Sequence, residues 1–458
     1  MLRALLAIVV AIGLITGAIY VAAGRGAPPT ITIGKPDKAI GQIGALEVTA
    51  EAPNARFTAL TVVLEQNGRT TPLFTLGGAT SPGLTQVDRD HVRVARDIGK
   101  RNLPELQAGT ARIVVSAARP SFLNLRQLSS TATKDVQVRL EPPRVAVIST
   151  HHYVNHGGSE MVVYRATPAD VASGVRVGDV EYRGFPVDQV RLKPDATRDQ
   201  NVAFFALLWD QDLHTRIQVF ARDEAGNEAT GDFIDNVFEK PFKKSRIELD
   251  DRFMDRVVPE ILERSPELTL TAPPAGEMAP AFLKVNGELR RLNADQIAAF
   301  AAKTAPTRLW DGPFVQLGNS QVEARFADQR TYIYKGQEID HQVHLGFDLA
   351  VTTRIPVVAA NAGTVLHASW LGIYGNCVIL DHGMGVQSLY GHLSSFDVKP
   401  GDTVTRGQTL GRSGMTGLAG GDHLHFTMLV GGHMVTPVEW WDRHWIADRV
   451  ERKLKEAR

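Results

Sequence analysis

Between two glycine pairs the chain runs GLAGGDHLHFTMLVGG, residues 417–432, a short apolar stretch that carries two histidines one residue apart. Read as a strand, its side chains alternate, so His423 and His425 share one face with Thr427 while Leu424 and Phe426 share the other. One face is chemical and the other is core. Side-by-side imidazoles are a common start to a metal or acid/base site.

Nine of the fourteen histidines fall between His341 and His444, eight of them within a glycine-rich, strand-like region from Trp310 to Trp440. The chain of 458 residues is too long for one core and reads as several domains. Apolar content of 43% with 22% charged residues is that of a globular protein. Fifty basic residues balance fifty acidic ones, which gives no sign of a nucleic-acid partner or a polybasic surface. The single cysteine, Cys377, excludes an intrachain disulfide framework and a multi-cysteine zinc site; in the strand-like GNCVIL it reads as a structural thiol.

After Met1-Leu2-Arg3 an uncharged run extends from Ala4 to Gly24 and ends at Arg25. Its length suits an uncleaved signal anchor, residues 1–27, spanning the inner (cytoplasmic) membrane once with the rest on the periplasmic side. Cleavage after Val21-Ala22-Ala23 is the competing reading. Beyond it the chain reads as mainly β. LTVVLEQNGRTTPLFTL places a hairpin turn at Asn67-Gly68, and with ARIVVSAA and TKDVQVRL it makes a β-sandwich module over 28–143. A second module over 144–242 contains SEMVVYRA, VAFFALLWD and TRIQVFARDEAGNEATGDF; the last resembles the closing hairpin of bacterial immunoglobulin-like modules. Residues 243–308 turn helix-like, with Asp250 a cap before DRFMDRVVPEILE and Asn293 with Gln296 a capping box before IAAFAAK. A catalytic-looking domain follows over 309–440, and 441–458 reads as an amphipathic helix packing through Trp441, Trp445 and Leu454 with its charges in water.

In HQVHLGFDLA, His344 precedes Asp348 by four residues, but Gly346 between them and FDLAVTT after them favour an extended segment. Even spacing then puts His344, Gly346 and Asp348 on one face, and the glycine leaves room there for an ion. Two imidazoles and a carboxylate are a known ligand set for catalytic zinc, which keeps a fourth position for water. His344, Asp348 and one histidine of the later pair would supply it. Nothing local says that His392, after Tyr390-Gly391, joins them.

The run from HLGFDLAVTTRIPVVAANAGTVLHA through YGNCVILDHGMGVQSLYGHLSS and VKPGDTVTRGQTLGRSGMTG to GDHLHF resembles the lysostaphin/LytM-type zinc endopeptidases, over about the last third of the chain. That resemblance implies an antiparallel β peptidase domain of the duplicated hybrid motif type and cleavage of peptidoglycan peptides. It implies one zinc ion held by His344, Asp348 and His425, with His392 and His423 as the catalytic, non-ligand histidines. Members of the family commonly carry Glu where this chain has Thr427. Envelope proteins meeting the upstream modules are the other expected partners.

Two other classes are weaker. A non-catalytic cell-wall-binding or hydrolase-activating relative loses ligands, and this chain keeps all five positions. A lipoyl- or biotinyl-type carrier needs an exposed lysine, and none lies between Val404 and His425. His341, His367, His382 and His433 read as structural, and His151, His152 and His156 as a solvated loop.

Overall fold

The computed structural model describes residues 2–23, 26–52, 56–78, 83–88, 90–121, 126–190 and 199–456, without the side chains of 2–5, 22–23 and 189–190. The apolar start forms α1 (Leu2–Ala23); Met1, Gly24 and Arg25 lie outside the described residues. Apolar side chains from Leu6 to Val21 are exposed along it. No helix among the described residues is long and apolar enough to cross a membrane, so the expected transmembrane span is not supported.

The remainder is mainly β and divides into two compact units: residues 1–143 with 222–228, and 144–221 with 229–458. In the first, a four-stranded and a five-stranded sheet feed one hydrophobic cluster that includes Leu46, Val48, Leu60, Val62 and Ile113. The Asn67-Gly68 turn forms as expected, both residues at positive φ between strands Ala59–Gln66 and Arg69–Thr75.

In the second unit one core runs from Val154 to Leu454, across the expected boundaries at 242 and 308. Trp440, fully buried, explains part of this continuity. Its ring centroid lies 5.8 Å from that of Phe204, 5.7 Å from Trp310 and 5.5 Å from Phe314, joining strand Gln200–Ala206 to the carboxyl-terminal region. Lys453 corrects the expectation that the terminal helical charges sit in water. Its ammonium is wholly buried and donates to Glu160 Oε1 at 2.8 Å and to the Met161 carbonyl at 2.9 Å. His152 is corrected likewise: it is buried against Phe233, bonded to Ser149, and pushed down to about 3 chiefly by burial, because the 150s pack inward instead of forming a solvated loop. Among the described residues, no metal cluster includes it.

The strands around the site are numbered here in chain order. β1 (Lys244–Leu249), β3 (Asp328–Tyr334) and β4 (Gln337–His344) form one sheet, with β1 parallel to β3. β2 (Gln321–Ala324), β5 (Phe347–Ala350), β10 (His423–Val430), β8 (Val386–Leu393), β7 (Asn376–Asp381), β6 (Gly363–Trp370) and β9 (Thr403–Val404) follow in that order in an antiparallel sheet, and β11 (His433–Val435) pairs with β10. Cys377 is buried in β7, its thiol pushed up by burial.

Helices occupy the stretch between β1 and β2. α2 (Asp251–Arg264) starts at Asp250, whose carboxylate accepts the Phe253 amide at 2.7 Å. α3 (Ala279–Lys284), a π-helical turn (Val285–Leu289) and α4 (Arg290–Ala299) then run without interruption. Asn293 is therefore mid-helix and not a cap. Fully buried, it turns its Oδ1 to the Ile373 amide at 2.9 Å and so holds the turn after β6.

Candidate active site

Register brings the principal residues together. Asp348 on β5 lies directly opposite His425 on β10, and His425 lies opposite Gly391 on β8. Facing residues of antiparallel strands sit about 4.5–5.5 Å apart at Cβ, so this pairing creates contact between segments far apart in the chain. His344 ends β4 and Asp348 begins in a different sheet, so the two do not share one strand as the spacing suggested. The chain changes sheets at Leu345-Gly346. Gly346 is required for a different reason than expected: a Cβ there would lie 2.5 Å from His425 Cε1 and Nε2, so its bareness admits the imidazole.

His344 Nε2, Asp348 Oδ1 and His425 Nδ1 converge at 2.9 Å, 3.0 Å and 3.0 Å from one another. His344 Nδ1 donates to the Arg325 carbonyl at 3.1 Å, which leaves Nε2 as the lone-pair side facing the cluster. Two nitrogens and an oxygen aimed at one point, two of them imidazole, fit a zinc ion in donor type and number.

His392 and His423 flank this trio. Their rings are 4.7 Å apart at the centroids, and His423 Nε2 lies 3.5 Å from Asp348 Oδ1. His392 Nδ1 donates to the Thr416 carbonyl at 2.8 Å and His423 Nδ1 to the Gly421 carbonyl at 2.9 Å, so each turns Nε2 toward the cluster, that of His423 toward Asp348. His392 takes a left-handed φ of 63°, a strained setting for a non-glycine residue that reorients its ring at the end of β8.

Burial and charge act on the cluster in opposite senses. For Asp348 burial is the largest influence and pushes upward, but the charge of His344 and hydrogen bonds from the three histidines hold it well below the usual carboxylate range. Burial takes His425 down to about 4. His392 is lowered by burial and by neighbouring His423 and His425. His423, although burial lowers it, is raised on balance by Asp348. Thr427 is fully buried with its hydroxyl on the Met428 and Val435 carbonyls, at 3.3 and 3.5 Å.

His344, Asp348, His392, His423 and His425 all border a cavity of about 620 Å³, and Thr427 does not. The sequence reading did not identify Arg330, which donates from Nη2 to Asp348 Oδ2 at 3.0 Å. A signal existed: Asp328, Arg330 and Tyr332 alternate along β3 and all border the cavity. His382 is buried between the Ala362 carbonyl and Ser388, and His341 pairs with Glu338 at the surface, both away from the cavity.

Residues 342–437 match the model of peptidase family M23. Over 97 residues the chain is 38% identical to the DD-carboxypeptidase/endopeptidase Mpg of Neisseria meningitidis, covering 21% of this chain and 22% of that one. Over 96 residues it is 38% identical to the peptidoglycan DD-endopeptidase ShyA of Vibrio cholerae, with coverages of 21% and 22%. Lysostaphin of Staphylococcus simulans is 38% identical over 94 residues, covering 20% and 19%. The chain thus spans about a fifth of the length of these curated relatives. Among solved structures, an M23-type protein from Pseudomonas aeruginosa aligns over 63% of this chain and 94% of its own at 20% identity, TM-score 0.36. The catalytic domain of S. simulans lysostaphin aligns over 31% and 96% at 26% identity, TM-score 0.21. Residues 342–437 are thus similar to the peptidases of family M23, in keeping with the lysostaphin/LytM resemblance.

Proposed function

We propose that this protein is a zinc-dependent endopeptidase that hydrolyses cross-links or stem peptides of bacterial peptidoglycan, with its catalytic unit outside the cytoplasm. The observation that carries the reading is the convergence of His344 Nε2, Asp348 Oδ1 and His425 Nδ1 beside two further histidines on one cavity. The relatives named as peptidoglycan endopeptidases support the substrate class.

His344, Asp348 and His425 would hold the ion. Zinc in such a site supplies a Lewis acid and a water nucleophile available near neutral pH. The chain's own groups do the rest. Their Nδ1 bonds to backbone carbonyls fix His392 and His423 with Nε2 toward the reaction, one to accept the proton released on attack and the other to donate to the leaving amine. A charged imidazole beside the scissile carbonyl also stabilises the developing oxyanion. Arg330 holds Asp348 Oδ2 and so keeps Oδ1 directed at the cluster.

The test is metal analysis of the purified protein, followed by incubation with purified sacculi and mass spectrometry of the released fragments. One zinc per chain and peptide-bond cleavage products are expected. Intact sacculi at full zinc occupancy would refute the reading.

A further inference from the structure

One wall of the cavity is supplied from outside the family-matched segment: Phe253 from α2, Phe282 from α3 and Arg290 at the start of α4 all border it. The cations on this cavity are differently employed. Arg330 is taken up by Asp348 and Asp328. Lys243 is exposed at the mouth, where Glu248, Asp250 and Glu323 are exposed too. Arg290 is half-buried, and among the described residues it pairs with no carboxylate.

Arg290 is nevertheless held in place. Its Nε donates to the Asn286 carbonyl at 3.0 Å and its Nη2 to Asn286 Oδ1 at 2.6 Å. Asn286 is itself fully buried and fixed by donating from Nδ2 to Asp340 Oδ2 at 2.8 Å. It lies in the π-helical turn Val285–Leu289, a local geometry that recurs at functional sites. Arg290 is close enough to Tyr374 for its charge to act on that phenol, and the Tyr374 ring centroid is 5.3 Å from that of His425. A guanidinium oriented by two hydrogen bonds, lacking a protein carboxylate and open to the cavity beside the metal-ligating cluster, is an anchor for a planar anion.

We propose that Arg290 is a substrate-binding residue that takes a free carboxylate of the peptide being cleaved, with Phe253 and Phe282 forming the apolar wall beside it. The helical segment is then part of the specificity surface, and not only a connection between β modules. This rests on the peptidase reading above.

The experiment uses the full chain and purified cross-linked stem peptides in two forms, with carboxylates free or converted to primary amides. Equilibrium binding is measured by calorimetry with a chelator present to stop turnover, and KM and kcat are measured with zinc. Wild-type protein should bind the acid form roughly tenfold or more tightly than the amide, with the difference in KM and not kcat. Arg290→Gln should remove that preference by weakening the acid form alone, and Arg290→Lys should restore part of it. Equal affinity of the wild type for the two forms, no binding of the acid form, or a preference that survives in Arg290→Gln would each overturn the proposal. The wild-type comparison needs no variant to fold. Acid-selective binding without cleavage by the zinc-loaded wild type would leave Arg290 in its role and refute the peptidase reading instead.

Discussion

The two oxygens of Asp348 face different partners: Oδ2 accepts from Arg330 Nη2 at 3.0 Å, while Oδ1 lies 2.9 Å from His344 Nε2 and 3.0 Å from His425 Nδ1. Arg330 is therefore placed to fix which oxygen is offered to an ion. Arg330→Gln should weaken zinc binding about 10- to 100-fold, the usual effect of losing such a supporting partner. Competition with a chromogenic chelator measures it. Unchanged zinc affinity would show that Asp348 needs no such orientation.

The five clustered residues should separate into two groups. Asp348→Ala and His425→Ala should lose zinc together with activity, because a three-ligand site has none to spare. His392→Ala and His423→Ala should retain zinc and lose turnover by about 10²–10⁴-fold, the range for a proton-transfer group. Elemental analysis and rates of peptide release from sacculi on the same preparations distinguish the two. Full zinc occupancy in His425→Ala would remove it from the ligand set.

Residue type and spacing pointed to His344, Asp348 and one histidine of the later pair as candidate ligands, because few chemistries need two imidazoles and a carboxylate in this pattern; the choice of His425 came from the family resemblance. Alternation was correct for His423 and His425 on β10, but His344 and Asp348 meet through a change of sheet that local spacing does not encode. Arg290 and Arg330 escaped notice, and Asn293 was given the wrong role, for a related reason: their roles depend on which segments pack together. Asn293 carried a capping pattern, yet the helix begins earlier, and its Oδ1 serves an amide 80 residues away. Lys453 belonged to an amphipathic pattern whose charges should be solvated, and its partner Glu160 lies 293 residues earlier. Local periodicity cannot show a partner at that distance.

Glu439 gives the second unit a definite pH response. Its carboxyl is buried, accepts from Asn155 Nδ2 at 2.7 Å and the Ser159 amide at 2.6 Å, and is pushed up to about 7, chiefly by burial. The folded state thus holds a proton that the unfolded chain releases near 4.5. The resulting stabilisation is complete below about pH 4.5 and is lost as pH rises through about 7. Glu439→Gln mimics the protonated form and cannot titrate. Between pH 5 and 8 the wild type should lose on the order of 1–3 kcal/mol relative to that variant. Urea unfolding at several pH values measures the difference, and parallel pH profiles would assign the titration elsewhere.

The shared core of the second unit predicts where the chain can be cut. Val257, Val258, Ile261, Phe282, Val285, Leu289 and Ile297 from the helices lie in the same cluster as Leu380, Leu424 and Phe426 from the peptidase sheet. Each such side chain contributes roughly 1.5–3 kcal/mol when buried. Losing the partners of five of them rivals the ~5–15 kcal/mol by which a typical domain is stable. A fragment of residues 144–458 should bind zinc and unfold in one cooperative transition, because its core is complete. A fragment of residues 305–458 should expose that apolar face and aggregate or fail to unfold cooperatively. Calorimetry with light scattering compares them. Cooperative unfolding of the shorter fragment at the temperature of the longer one would show that the helices cover the peptidase sheet without stabilising it.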